Sequence, residues 1–170
     1  MVLRTSGGGS GGSGATASTN GAFGRHEFEV FLGRTPLVGL ERLTLALPPG
    51  LRAPLRLHSF VLLDVGSECW LYDFLPEAPT APGTAAGLLS GRAVRGQARR
   101  RRLAGRAPKQ LPVGAALRSV ARLVRCDALA VADAFTEAWG TELTLATRNC
   151  RHHTDALIAA LLAAEQAGGR

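Results

Sequence analysis

The chain has 170 residues, carries a formal charge of +7 and is only 5% aromatic, so aliphatic and alanine side chains must build one domain's core. No apolar run approaches the roughly 18 residues of a membrane span, and three cysteines without a CxxC pair argue against a disulfide framework or a structural zinc site. Seven arginines and no acid fall within residues 92–106, so the remainder is neutral by formal count and the basicity is local rather than a field over the whole surface.

Residues 1–24 are mostly Gly, Ser, Thr and Ala and read as a flexible tail, either a linker or part of an organellar transit peptide. A single domain is expected over 25–167, with a basic arm at 92–106. Residues 26–32 alternate polar and apolar, as a strand does, and 40–47 form a second candidate strand. Residues 55–65 are apolar on both faces and predict a central strand. A turn at 66–68 leads into a paired strand over 69–74, giving a hairpin. A proline-rich loop over 76–83 precedes a short helix over 84–89. Residues 92–103 read as a polar strand or an exposed arm, and 117–124 as a further strand.

The last third is helical. Asp127 is placed to cap a helix on which Val131, Phe135 and Trp139 recur every four residues, and Gly140 is placed to close it. After a short connection over 141–146, Asn149 is placed to cap a second helix. On that helix Cys150, Thr154, Leu157, Ile158, Leu161 and Leu162 form one apolar stripe, which turns Cys150 toward the sheet.

The chemistry concentrates in Asn149-Cys150-Arg151-His152. A thiol at a helix N-terminus sits at the positive end of the macrodipole beside unpaired amides, which favours the thiolate. His58, embedded in the central strand, supplies a base for such a nucleophile. Asp73 lies on the next strand and suits the third role of fixing the imidazole tautomer. Asp64 is an alternative for that role, although its position at the strand end suits the turn, and a Cys–His dyad needs no third group. His152 is expected to hold the cysteine loop by hydrogen bonding and His153 to be partly exposed. The Cys-x-His-His spacing does not suit ligands of one metal ion, so no metal and no cofactor is expected.

Asn-Cys-x-His at a helix start, with a strand histidine upstream, resembles the permuted papain-like thiol hydrolases. The likeness is to the PPPDE peptidases and to the lecithin:retinol acyltransferase and NlpC-like group, and it covers roughly residues 55–165. Their base precedes the nucleophile, as His58 precedes Cys150. His153 stands where those families have phenylalanine, and Arg151 where they have Asn or Glu. The resemblance implies an α+β fold, an antiparallel sheet packed against two C-terminal helices. It also implies cleavage of a peptide or isopeptide bond, or acyl transfer.

Two other classes remain open at this point. A non-catalytic relative would act as an accessory subunit, using Arg99, Arg100, Arg101 and Arg102 to bind an acidic protein partner. A small basic nucleic-acid binder would bind with strong salt dependence, but no aromatic residue interleaves the arginine run for base stacking. The cysteine usage suits a reducing intracellular compartment. The arginine run suits the cytoplasm or nucleus, and the tail suits a plastid or mitochondrion.

Overall fold

A computed structural model of the chain describes residues 27–36, 57–105, 111 and 115–169. The predicted tail and the candidate strand over 40–47 lie outside the described residues. The fold is α+β, with six antiparallel strands and three helices, two of them near the C-terminus. In chain order the elements are β1 (Phe28–Pro36), β2 (Leu57–Asp64), β3 (Glu68–Pro76), α1 (Pro82–Leu89), β4 (Val94–Ala104), β5 (Ala116–Leu123), α2 (Ala128–Ala138), β6 (Glu142–Leu143) and α3 (Cys150–Ala167). The sheet order is β5-β1-β2-β3-β4-β6.

The apolar run at 55–65 becomes β2, inside the sheet between β1 and β3. Both of its faces are covered. Val61 and Leu63 face the helices, packed with Phe28, Val30, Tyr72, Leu123, Ala128, Ala132, Leu157 and Leu161. Phe60 and Leu62 face the other way, with Cys69, Leu71, Leu103, Leu111 and Leu117. The β2–β3 hairpin turns through Gly66, whose φ of 87° favours a residue without Cβ. Asp64 accepts the Gly66 N–H at 2.6 Å, so its carboxylate serves the turn.

The pairing of β2 with β3 runs from Phe60–Asp73 to Asp64–Cys69. Ahead of it, His58 and Ser59 pair with Thr35 and Arg34 of β1 alone. Cys150, at the N-terminus of α3, lies against His58 and the Ser59 backbone at this end of β2.

Three expectations are corrected. Gly140 does not adopt a left-handed cap. Trp139 caps α2 with extended backbone, and the Arg148 guanidinium packs over Gly140. The buried face of α3 is turned from the predicted stripe, onto His153, Thr154, Leu157 and Leu161, while Leu162 is 39% exposed. His153 is fully buried rather than partly exposed. No described helix is long and apolar enough to cross a membrane.

Candidate active site

Cys150 is the first residue of α3, and the preceding residue builds its seat. Asn149 Oδ1 accepts the backbone N–H groups of Arg151 at 2.9 Å and His152 at 3.2 Å. The His152 imidazole reaches back to the Asn149 backbone N–H at 3.4 Å, completing a reciprocal capping box. Asn149 also donates its side-chain amide to the Leu145 carbonyl at 2.6 Å. Asn149 and His152 together fix the first turn of α3, which begins at Cys150. Because Asn149 occupies the amides of Arg151 and His152, the N–H of Cys150 itself is left by these caps.

His58 lies near the start of β2 and is almost fully buried. Its Nε2 is 3.3 Å from Asp73 Oδ2. Among the described residues Nδ1 has no hydrogen-bond partner, and Cys150 lies close enough to the ring to shift its charge. Burial of His58 works against its charge, but hydrogen bonding to Asp73 and the proximity of Cys150 outweigh it and raise the imidazole above its usual range. Burial of Cys150 likewise opposes ionisation. The imidazole of His58 and the backbone amides of Ser59 and Arg151 overcome that penalty and lower the thiol. The two shifts have opposite sign, as required to transfer the proton from sulfur to imidazole. Cys126, by contrast, is pushed up by its burial and by Glu165.

Asp73 is completely buried and its charge is matched by neighbours on β4. Arg99 grips both carboxylate oxygens, Nε to Oδ1 at 2.9 Å and Nη2 to Oδ2 at 2.8 Å. Arg101 Nη2 adds a contact to Oδ2 at 3.1 Å. Burial alone would raise this carboxyl, but hydrogen bonds from His58 and Arg99 hold it at about 2. The structure thus brings together Cys150, His58 and Asp73 from α3, β2 and β3.

The arginine run at 99–102 lies in β4, within the sheet, rather than on a detached arm. Strand alternation splits it between two faces. Arg99 and Arg101 meet Asp73. Arg100 pairs with Asp133 at 2.7 Å and lies over the Trp70 ring at 3.9 Å, while Arg102 pairs with Glu68. All four residues expected to meet a partner therefore have an acidic partner inside the fold.

His153, expected to be partly exposed, lies instead in an aromatic nest. It stacks on Phe74 at 5.9 Å and meets the edges of Trp139 at 5.1 Å and Phe135 at 5.5 Å. Among the described residues neither ring nitrogen has a hydrogen-bond partner, and burial lowers the imidazole to about 4. It is therefore a neutral packing residue at neutral pH. Its spacing of four from Leu157 and eight from Leu161 is the signal that places it on the buried face. The clamp on Asp73 by Arg99 has no comparable local signal, because 26 positions and a helix separate the two residues.

Among the described residues no group of His, Cys, Asp and Glu side chains is arranged to hold a metal ion. Comparison with family models, curated proteins and solved structures returned no match. The functional reading therefore rests on the geometry of the site.

Proposed function

We propose that this chain is a cysteine hydrolase or acyl-transfer enzyme of the permuted papain-like type, acting on a peptide or isopeptide bond. The observation that carries the reading is the contact of His58 Nε2 with buried Asp73 at 3.3 Å, beside a Cys150 near enough that thiol and imidazole shift each other toward their charged forms. The antiparallel sheet, the two C-terminal helices and a base upstream of the nucleophile support it.

In this mechanism His58 takes the thiol proton, and the Cys150 thiolate attacks the substrate carbonyl carbon. A carbon–sulfur bond forms and the carbonyl oxygen becomes an oxyanion. The backbone N–H of Cys150, at the positive end of α3, donates to that oxyanion. Collapse breaks the carbon–nitrogen bond, and His58 delivers its proton to the leaving amine. Water, or an acceptor nucleophile in the transferase version, then releases the acyl group from sulfur, with His58 again taking the proton. Asp73 keeps the ring oriented and stabilises its charged form.

p-Nitrophenyl acetate tests the reading without knowledge of the natural substrate. A burst of nitrophenolate should accompany acetylation of the peptide containing Cys150, and both should vanish in Cys150→Ser. Acetylation elsewhere with equal efficiency would contradict the proposal. The accessory-subunit reading drew on a free arginine arm, and the engagement of those arginines within the sheet gives it no such support.

A further inference from the structure

His58, Asp73 and Arg99 stand in a row across three neighbouring strands. Phe60 of β2 pairs with Asp73 of β3, and Asp73 pairs with Arg99 of β4. His58 lies two residues before Phe60, so strand alternation puts all three side chains on one face of the sheet. Asp73 is the completely buried middle member and is held from both sides. Arg99 takes both of its oxygens, at 2.9 Å and 2.8 Å, whereas His58 touches Oδ2 alone, at 3.3 Å. Bidentate, charge-assisted contacts of this kind are among the strong hydrogen bonds of a protein. The oxygen that meets the imidazole is therefore one already drawn toward Arg99, and Arg101 also reaches it at 3.1 Å.

We propose that Arg99 is a positioning residue for the base: it fixes Asp73 Oδ2 against the imidazole and limits how much of the carboxylate's charge His58 receives. Its role in turnover rests on the hydrolase reading, whereas its effect on His58 does not. A buried carboxylate left with the imidazolium as its main cation would hold the ring proton too firmly. His58 must give that proton to the leaving amine and then be neutral to take one from water, so a base that stays charged would leave the acyl group on sulfur. By sharing Asp73, Arg99 keeps the ring oriented and still able to release its proton. Arg99 itself stays charged, since its hydrogen bonds to Asp73 push it above an already high range. The described titratable groups around His58 come from each element packed on it. Cys150 and His153 act on it from α3, and Arg101 acts from β4 through Asp73. On β1, Thr35 stands opposite His58 and does not titrate, while the neighbouring Arg34 is exposed. Once Cys150 is replaced by serine, none of these described neighbours changes charge near neutral pH.

The titration of His58 is read by NMR from its ring C–H signals in the full chain carrying Cys150→Ser, assigned by their loss in His58→Asn. Arg99→Gln in that background should raise the midpoint by about one pH unit, a roughly ten-fold tighter hold on the proton. Arg99→Lys keeps the charge and loses the fork, and should fall between. A structural role alone would lower the urea midpoint of unfolding and leave the titration where it was. A midpoint unchanged or lowered in Arg99→Gln overturns the proposal; should that variant not fold, the same outcome in Arg99→Lys does so. With Cys150 intact, the slow acetate release that follows the p-nitrophenyl acetate burst gives a second readout. Arg99→Gln should slow it at neutral pH and restore it at higher pH, and a rate lowered equally at every pH would overturn the role in turnover. Failure of the hydrolase reading shows separately, as absence of the burst while the His58 shift persists.

Discussion

Asp73 Oδ2 lies 3.3 Å from His58 Nε2, so Nδ1 is the ring nitrogen that this contact leaves unengaged. An amide at position 73 would neither stabilise the imidazolium nor balance Arg99. Asp73→Asn should therefore move the midpoint of Cys150 alkylation upward and slow the reaction several-fold at neutral pH. The aspartate has a folded value of about 2 against an ordinary 3.8. Its stabilising effect is therefore complete above the ordinary value and is lost as pH falls toward 2. Acid denaturation of wild type and Asp73→Asn should converge over that interval, which circular dichroism can follow.

Asn149 holds the first turn of α3 through two backbone N–H groups. Asn149→Ala should cost about 1 kcal/mol in thermal or urea unfolding. Asn149→Asp should recover most of it, since the acceptor oxygen remains and a negative charge suits a helix N-terminus. The same alanine variant should slow Cys150 alkylation, because the thiol loses its fixed seat opposite His58.

His153 is buried among three aromatic rings and, among the described residues, has no hydrogen-bond partner. Its folded value of about 4 lies below the ordinary 6.5, so the unfolded chain binds the extra proton first. Stability is complete above 6.5 and falls as pH drops toward 4, by about 3 kcal/mol if the whole shift is expressed. His153→Phe should remove that loss and equal or exceed wild-type stability at pH 7. A steeper acid loss in the phenylalanine variant would show that the imidazole has a partner there.

Gly33 on β1 is paired with Phe60, and a Cβ at position 33 would run into the Phe60 ring. That ring lies 6.2 Å from the imidazole of His58. Gly33→Ala should destabilise the fold by about 1–3 kcal/mol. It should also disturb Cys150 reactivity through His58, an effect measurable beside the melting temperature.

The elements legible in the sequence were those with a complete local signal. The two-sided apolar run of β2, the turn at Gly66 and the caps Asp127 and Asn149 each declare themselves within a few residues. Asp127 indeed accepts the Ala130 N–H at 3.1 Å. The rotation of α3 is hidden in the sequence because Leu162 looks like a core residue and His153 like a surface one. Burial followed the helix geometry instead, and the cost of an unpartnered imidazole was accepted within an aromatic nest. The arginine run looks like one patch in the sequence, although alternation in β4 sends its members to opposite faces. That division depends on the register Asp73–Arg99, which only the paired strands reveal.

The most direct test of the central claim is the rate of iodoacetamide alkylation of Cys150 against pH, with Cys69 and Cys126 replaced by serine, in the otherwise native chain and in His58→Ala. The account predicts a midpoint well below the free-thiol value of about 8.5, moving upward when His58 is removed. A midpoint at the free-thiol value, unchanged by His58→Ala, would contradict an activated Cys150–His58 pair.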